Sequence, residues 1–361
     1  MRKDAYKALA KVLDTLPNGF PAMEDGLEIK LLRKIFSEDE AELFCDLKLT
    51  YETADQIAER TGRPREGLKK KLITMQQRGQ IFGVEFGGTH LFKMLPWVFG
   101  IYEMQLPKLD KEMAEMCEEY NKIFEPQFLS NKPQLMQVIP IETEIKGKQE
   151  ALPYEKVSNI IENSQSRMFF DCICKKEKQL MGEPCDRPMQ VCTAYAPIPG
   201  VFDNHPLGKT MTKEEAYELL KKAEEDGLVH MTWNVQSGHF FICNCCSCCC
   251  GVLRGINELG IEASKVINSH YYAKIDPDDC SACGICADER CQVNAIEVTG
   301  DDYEVVSEKC IGCGLCVTTC PEEAISLIRK PKDLIDTPPS DEASWYKKRA
   351  QLRGVDISRF I

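Results

Sequence analysis

Apolar residues recur along the chain with helical period in some stretches and strand period in others. Thr53 and Gln56 form a capping box ahead of Ile57 and Ala58, and Thr61-Gly62 turns the chain. Pro64 is expected to open a second helix, with Leu68, Leu72 and Met75 on its buried face and Gly79 at its end. Alternation then takes over. Gln80–Phe86 and Thr89–Met94 read as strands joined by Gly87-Gly88, a hairpin signal. Met113, Met116 and Tyr120 mark one face of a helix, as do Tyr154, Val157, Ile160 and Ile161. Thr212 and Glu215 cap a helix carrying Ala216, Leu219, Leu220 and Ala223, which Gly227 ends. Leu228–Trp233 and Phe240-Phe241-Ile242 read as strands. After a Pro338-Pro339 break, a polar helix is expected over about Asp341–Arg353, packing Trp345 on its own domain.

These elements predict an α+β, multidomain chain of 361 residues. The expected segments are an N-terminal helix or arm (1–27), a helix–turn–helix–hairpin unit (28–95), connectors (96–153), a cysteine-rich domain (154–272), a C-terminal repeat (273–330) and a tail (331–361). The connectors run from Pro96 to Pro107 and from about Pro126 to Pro153. The 28–95 unit resembles a winged helix. Arg63, Arg65, Lys69, Lys70, Lys71 and Arg78 form a local basic patch there. The net charge of −12 and the non-basic hairpin Glu85–His90 argue against nucleic acid and favour protein docking. Met1–Tyr6 lacks a signal-peptide apolar core, and no apolar run reaches the roughly 20 residues of a membrane helix. A cytoplasmic location follows, where twenty cysteines point to metal rather than disulfides.

Eight of the cysteines stand in two near-copies of one motif. Cys280, Cys283, Cys286 and Cys291 form the first; Cys310, Cys313, Cys316 and Cys320, followed by Pro321, form the second. Each copy ends on a matching step, Ala295-Ile296 and Ala324-Ile325. A C-x-x-C-x-x-C loop can aim three thiolates at one cube, and Gly284, Gly312 and Gly314 allow the tight backbone. The repeat resembles the bacterial two-cluster ferredoxin, whose halves are each strand, cysteine loop, helical turn and strand. The resemblance implies two 4Fe–4S clusters with crossed ligands. Cys280, Cys283, Cys286 and Cys320 would hold one, and Cys310, Cys313, Cys316 and Cys291 the other. The first copy departs from the pattern: Ala287–Arg290 adds one residue before Cys291, and Gln292 replaces the proline. A charge near this longer loop is expected to make the two clusters differ in potential.

Ten further cysteines form a second field: Cys172, Cys174, Cys185, Cys192, Cys243, Cys245, Cys246, Cys248, Cys249 and Cys250. Six cysteines in the eight residues 243–250 have no packing explanation. They are expected to ligate one or two further 4Fe–4S clusters, with zinc as the alternative for one site. Neighbours in extended chain point to opposite sides, so alternate members, Cys243, Cys245 and Cys248 for example, can face one cube, and the partition stays open. His205, His230 and His239 are available as substitute ligands. With the repeat that follows, this field resembles large, poorly characterised iron–sulfur proteins of anaerobic bacteria and archaea.

The chain has no dinucleotide fingerprint, P-loop or nucleophile elbow. The expected function is therefore electron relay between a donor and an acceptor protein, a flavoprotein or a metal-containing oxidoreductase, rather than catalysis by this chain alone. A redox-responsive regulator and a metal-assembly protein are the alternatives.

Overall fold

The computed structural model describes residues 4–140, 156–300 and 302–361. Met1, Arg2, Lys3, Tyr154 and the 141–153 part of the expected connector lie outside the described residues. Three helices come first: α1 (Ala5–Thr15), α2 (Leu27–Ile35) and α3 (Glu38–Phe44). The Thr53–Gln56 capping box then opens α4 (Ala54–Thr61), with reciprocal bonds of 3.2 and 2.8 Å. Helix α5 (Leu68–Gln77) begins four residues after Pro64, not at it. A turn through Gly67, at φ +75°, intervenes and lets Leu68, Leu72 and Met75 face inward. Strands β1 (Ile81–Phe86) and β2 (Thr89–Met94) pair in the expected register. Gly87 and Gly88 both take positive φ, as a two-residue hairpin of matching twist requires.

Trp97, between the hairpin and the short α6 (Tyr102–Met104), is buried against Phe20 and Tyr120. The long α7 (Lys111–Leu129) then runs through Pro126, where the second connector was expected to start. The apolar stripe stays in phase across the proline. Tyr120, Phe124 and Phe128 stack in sequence at 5.9 and 4.9 Å, and their burial offsets the missing N–H.

The middle of the chain builds a seven-stranded sheet from β3 (Met136–Val138), β4 (Ser166–Phe170), β5 (Cys192–Ala196), β6 (Gly208–Thr210), β7 (Val229–Trp233), β8 (Phe241–Cys245) and β9 (Ile267–Asn268). The order is β6-β4-β5-β8-β7-β3-β9, antiparallel except between β3 and β9. Helices α8 (Val157–Glu162), α9 (Ile173–Leu180), α10 (Lys213–Glu225), α11 (Gly251–Asn257) and α12 (Ala263–Val266) connect the strands. The expected Thr212–Glu215 box caps α10.

Beyond the sheet, β10 (Tyr271–Ile275) pairs with β13 (Ile325–Arg329), and β11 (Ile296–Thr299) with β12 (Asp302–Val305). One cysteine run lies between β10 and β11, the other between β12 and β13, where α13 (Leu315–Thr319) supplies the helical turn. The final helix, α14 (Glu342–Arg353), packs far from its own neighbours in sequence. Trp345 donates to the Gln134 carbonyl at 3.0 Å. The fully buried Arg349 donates to the carbonyls of Pro17, Phe128, Asn131 and Pro133 at 2.5–3.2 Å. One buried core runs from Leu9 and Phe20 through Tyr120 and Trp233 to Trp345 and Phe360.

Candidate metal centres

The ten middle cysteines separate into a set of four and a set of six. Cys246, Cys248 and Cys249 lie on the turn between β8 and α11, and Cys185 reaches them from the loop before β5. The four Sγ atoms all lie within 4.8 Å of one another. Cys185 is 3.2 Å from Cys248 and 3.8 Å from Cys246, and Cys248 is 3.1 Å from Cys246 and 3.8 Å from Cys249. Thiolates about 2.3 Å from a single ion occupy a tetrahedron with edges of about 3.8 Å. The four thiols therefore fit one tetrahedral ion. Thiolates on the separate irons of a cube stand further apart, and among the described residues no three thiols of the C-terminal runs draw together in this way.

A buried cation serves the four-thiol site. Lys175 is 1 % exposed, and its Nζ lies 3.2 Å from Cys246 Sγ and 3.3 Å from Cys185 Sγ. The Cys246 thiol is pulled down to about 4 by hydrogen bonds from Cys249 and Cys248 and by Lys175, against the effect of burial. The Arg187 backbone N–H donates to Cys185 at 3.4 Å.

The other six thiols form a chain of neighbours. Cys172 adjoins Cys174 and Cys192, Cys192 adjoins Cys243, Cys243 adjoins Cys245, and Cys245 adjoins Cys250. Local structure explains the set. Cys172 is the N-cap of α9 and Cys250 the N-cap of α11, so each thiol stands at the start of a helix. Cys243 and Cys245 share one face of β8. Hydrogen bonds from Cys174 and Cys192 hold the Cys172 thiol well below its ordinary range. Of the alternate members, Cys243 and Cys245 fall in the set of six and Cys248 in the set of four. Strand β8 ends at Cys245, and the turn that follows carries Cys248 to the four-thiol site. The histidines stay apart. His230 bonds Asn244 at 2.5 Å on the other face of β8, His239 bonds the Val235 carbonyl, and His205 accepts the Leu207 N–H.

Glu118 of α7 ties the two ligand-bearing helices together. It meets Lys178 of α9 at 3.1 Å and takes two bonds from Arg254 of α11, at 2.7 and 3.1 Å. Those bonds hold its carboxyl down at about 2, although burial pushes the other way.

In the C-terminal repeat, Gly284, Gly312 and Gly314 all adopt positive φ. A β-carbon on Gly312 would meet the Tyr271 carbonyl oxygen at 2.2 Å. The added residue of the first copy is absorbed in a wide helical turn over Cys286–Arg290, a one-residue insertion of π type. Burial, then Cys313, Cys310, Cys291 and Cys286, raise the Cys316 thiol, so thiols of both runs lie around it. Residues 303–326 match the 4Fe-4S binding domain family. This segment contains Cys310, Cys313, Cys316 and Cys320. The chain thus carries a 4Fe–4S binding domain near its C-terminus and a separate four-cysteine metal site in its middle.

The unusual residues of the first copy face the middle sheet. Arg290 donates to the carbonyls of Glu224 and Glu225, each at 2.8 Å, at the end of α10. Gln292 Oε1 accepts the Ser247 N–H at 2.9 Å and its hydroxyl at 3.1 Å. Ser247 stands between Cys246 and Cys248, so the loop that ends the first cysteine run docks directly on the four-thiol turn. Neither contact has a sequence signature beyond the departure from the repeat. Lys175 has none either, being one lysine among several in α9.

The basic patch of 63–78 is largely neutralised. Arg63 meets Asp46 at 2.6 Å, Arg78 meets Glu40 at 2.6 Å, Arg65 meets Asp55 at 3.9 Å, and Lys71 meets Asp39. No helix among the described residues is long and apolar enough to cross a membrane.

Proposed function

We propose that the chain is an iron–sulfur electron-transfer protein that relays electrons between partner oxidoreductases of a reducing, anaerobic cytoplasm. Two 4Fe–4S clusters would be held with crossed ligands, one by Cys280, Cys283, Cys286 and Cys320 and one by Cys310, Cys313, Cys316 and Cys291. The six-thiol set would hold one further iron–sulfur group, and Cys185, Cys246, Cys248 and Cys249 a single zinc or iron ion. Bound clusters supply one-electron chemistry. The protein's own residues set the spacing, exclude water and neutralise thiolate charge.

The carrying observation is the bond from the Ser247 N–H to Gln292, one residue from Cys291. It brings the C-terminal cysteine run against the middle field, as a continuous relay requires. The paired basic residues at 63–78 favour a winged-helix-like docking unit over a DNA reader.

Anaerobically purified protein is expected to contain at least about eight irons with matching sulfide, reducible and reoxidisable without loss. Fewer irons would refute the two-cluster reading. Cys291→Ser should perturb the paramagnetic resonance of the cluster formed by the second run. If it perturbs only the first, the crossed assignment is wrong.

A further inference from the structure

The six-thiol set does not close on itself. All six cysteines line a cavity of about 510 Å³, within the range of about 300–1,000 Å³ typical of small-molecule sites. The other walls are mostly apolar. Phe99 and Phe241, with ring centroids 4.8 Å apart, stand near Phe124, Phe128 and Met231 along it. Three lining aromatics, Tyr51, Phe86 and Phe240, are 46, 58 and 40 % exposed and mark an apolar mouth.

The charges in the cavity wall select against anions. Lys93 is held by Glu342 at 2.7 and 2.8 Å, and Arg254 by Glu118. Neither offers a free charge to a carboxylate or phosphate. Three acids raised by burial line the cavity, Glu103, Glu125 and Glu177, and Glu177 is also hydrogen-bonded to the Glu118 carboxylate. Glu103 accepts the Gly100 N–H at 2.6 Å, and Glu177 accepts the Tyr102 hydroxyl. Burial raises Glu103 to about 7 and Glu177 to about 8, so near neutrality Glu103 shares its proton evenly with solvent and Glu177 mostly keeps its own.

We propose that this cavity binds an uncharged, apolar, carbonyl-bearing electron acceptor of the quinone type against the six-thiol wall. The proposal rests on the reading of those thiols as ligands of a further iron–sulfur group. Aromatic walls stack a planar ring, and protonated Glu103 and Glu177 donate to its oxygens. Reduction to the hydroquinone consumes two electrons and two protons. The two C=O π bonds give way to two O–H bonds. The electrons come singly from a ferredoxin- or flavoprotein-class donor. The protons come from Glu103 and Glu177, which refill from water.

Menadione is the test compound. Equilibrium dialysis against anaerobic, cluster-loaded protein should show one saturable site per chain. Menadiol added to dithionite-reduced protein should shift one cluster's paramagnetic resonance. The isosteric double variant Glu103→Gln, Glu177→Gln should still bind menadione, yet its reduced form should be reoxidised by menadione at least tenfold more slowly. Absence of saturable binding, an unshifted resonance, or a double variant reoxidised at the wild-type rate overturns the proposal. Iron content and reversible reduction by dithionite judge the electron-transfer reading separately. If both hold while menadione does not bind, only the cavity assignment falls.

Discussion

Cys185→Ser separates a single ion from a cube at the four-thiol site. Its Sγ lies 3.2 Å from Cys248 and 3.8 Å from Cys246, and all four Sγ atoms lie within 4.8 Å of each other. Those separations suit a tetrahedron of edge about 3.8 Å around one ion. A structural tetrathiolate site binds zinc with about 10–16 kcal/mol. One thiolate in four then accounts for about 2.5–4 kcal/mol, or about two to three decades of affinity, since about 1.4 kcal/mol is tenfold. Cys248 is exposed, so a chelator can reach the site. The variant should yield one metal atom per chain to a competing chelator at concentrations that leave the wild type intact, with the remaining iron and sulfide unchanged. Metal analysis before and after chelation identifies that atom as zinc or iron. Loss of about four irons together would mean that these thiols hold a cube and that their close spacing does not describe the loaded protein. No loss at all would remove Cys185 from the ligand set.

Three further perturbations test the framework around the sites. Arg349→Met leaves four backbone carbonyls without their shared donor, and a buried acceptor left unsatisfied costs about 1–3 kcal/mol; thermal unfolding should fall by several degrees, with faster hydrogen exchange in Glu342–Arg353 first. Gly312→Ala puts a β-carbon 2.2 Å from the Tyr271 carbonyl in a left-handed conformation that costs an alanine about 1–2 kcal/mol before any clash, so the purified variant should hold less iron than the wild type. Glu118→Gln loosens α9 and α11. Because the native carboxyl sits at about 2, below its usual range, its contribution is complete above the unfolded value of 4.5 and disappears as pH falls toward 2. Denaturant unfolding should therefore show a wild-type advantage near pH 7 that narrows below pH 4.5, and a gap independent of pH would refute the clamp.

Local signals were legible wherever the chemistry is local. The Thr53 and Thr212 boxes, the Gly87-Gly88 turn and the stripe of Leu68, Leu72 and Met75 each depend on residues within one or two turns. Pro126 was misread because a proline's local cost is visible in sequence, whereas the burial of Phe124 and Phe128 that offsets it depends on a distant core. The partition of the ten cysteines was illegible for a similar reason. Alternation correctly joined Cys243 to Cys245, but the end of β8 and the return of Cys185 from sixty residues earlier decide where Cys248 goes.

The asymmetry of the repeat makes the same point at the level of function. The added residue and the missing proline read as a local disturbance of one cluster loop. In the fold they serve an attachment: Arg290 grips the end of α10 and Gln292 holds Ser247 between two metal-site cysteines. The second copy keeps its proline and the shorter loop, and meets the main core through buried Ile311 and Leu315. One half of the internal repeat thus keeps the shorter loop while the other is lengthened where it meets the four-thiol turn. On the proposed relay reading, the departure at Cys286–Gln292 lies where the repeat meets the next site, because Gln292 there holds the four-thiol turn.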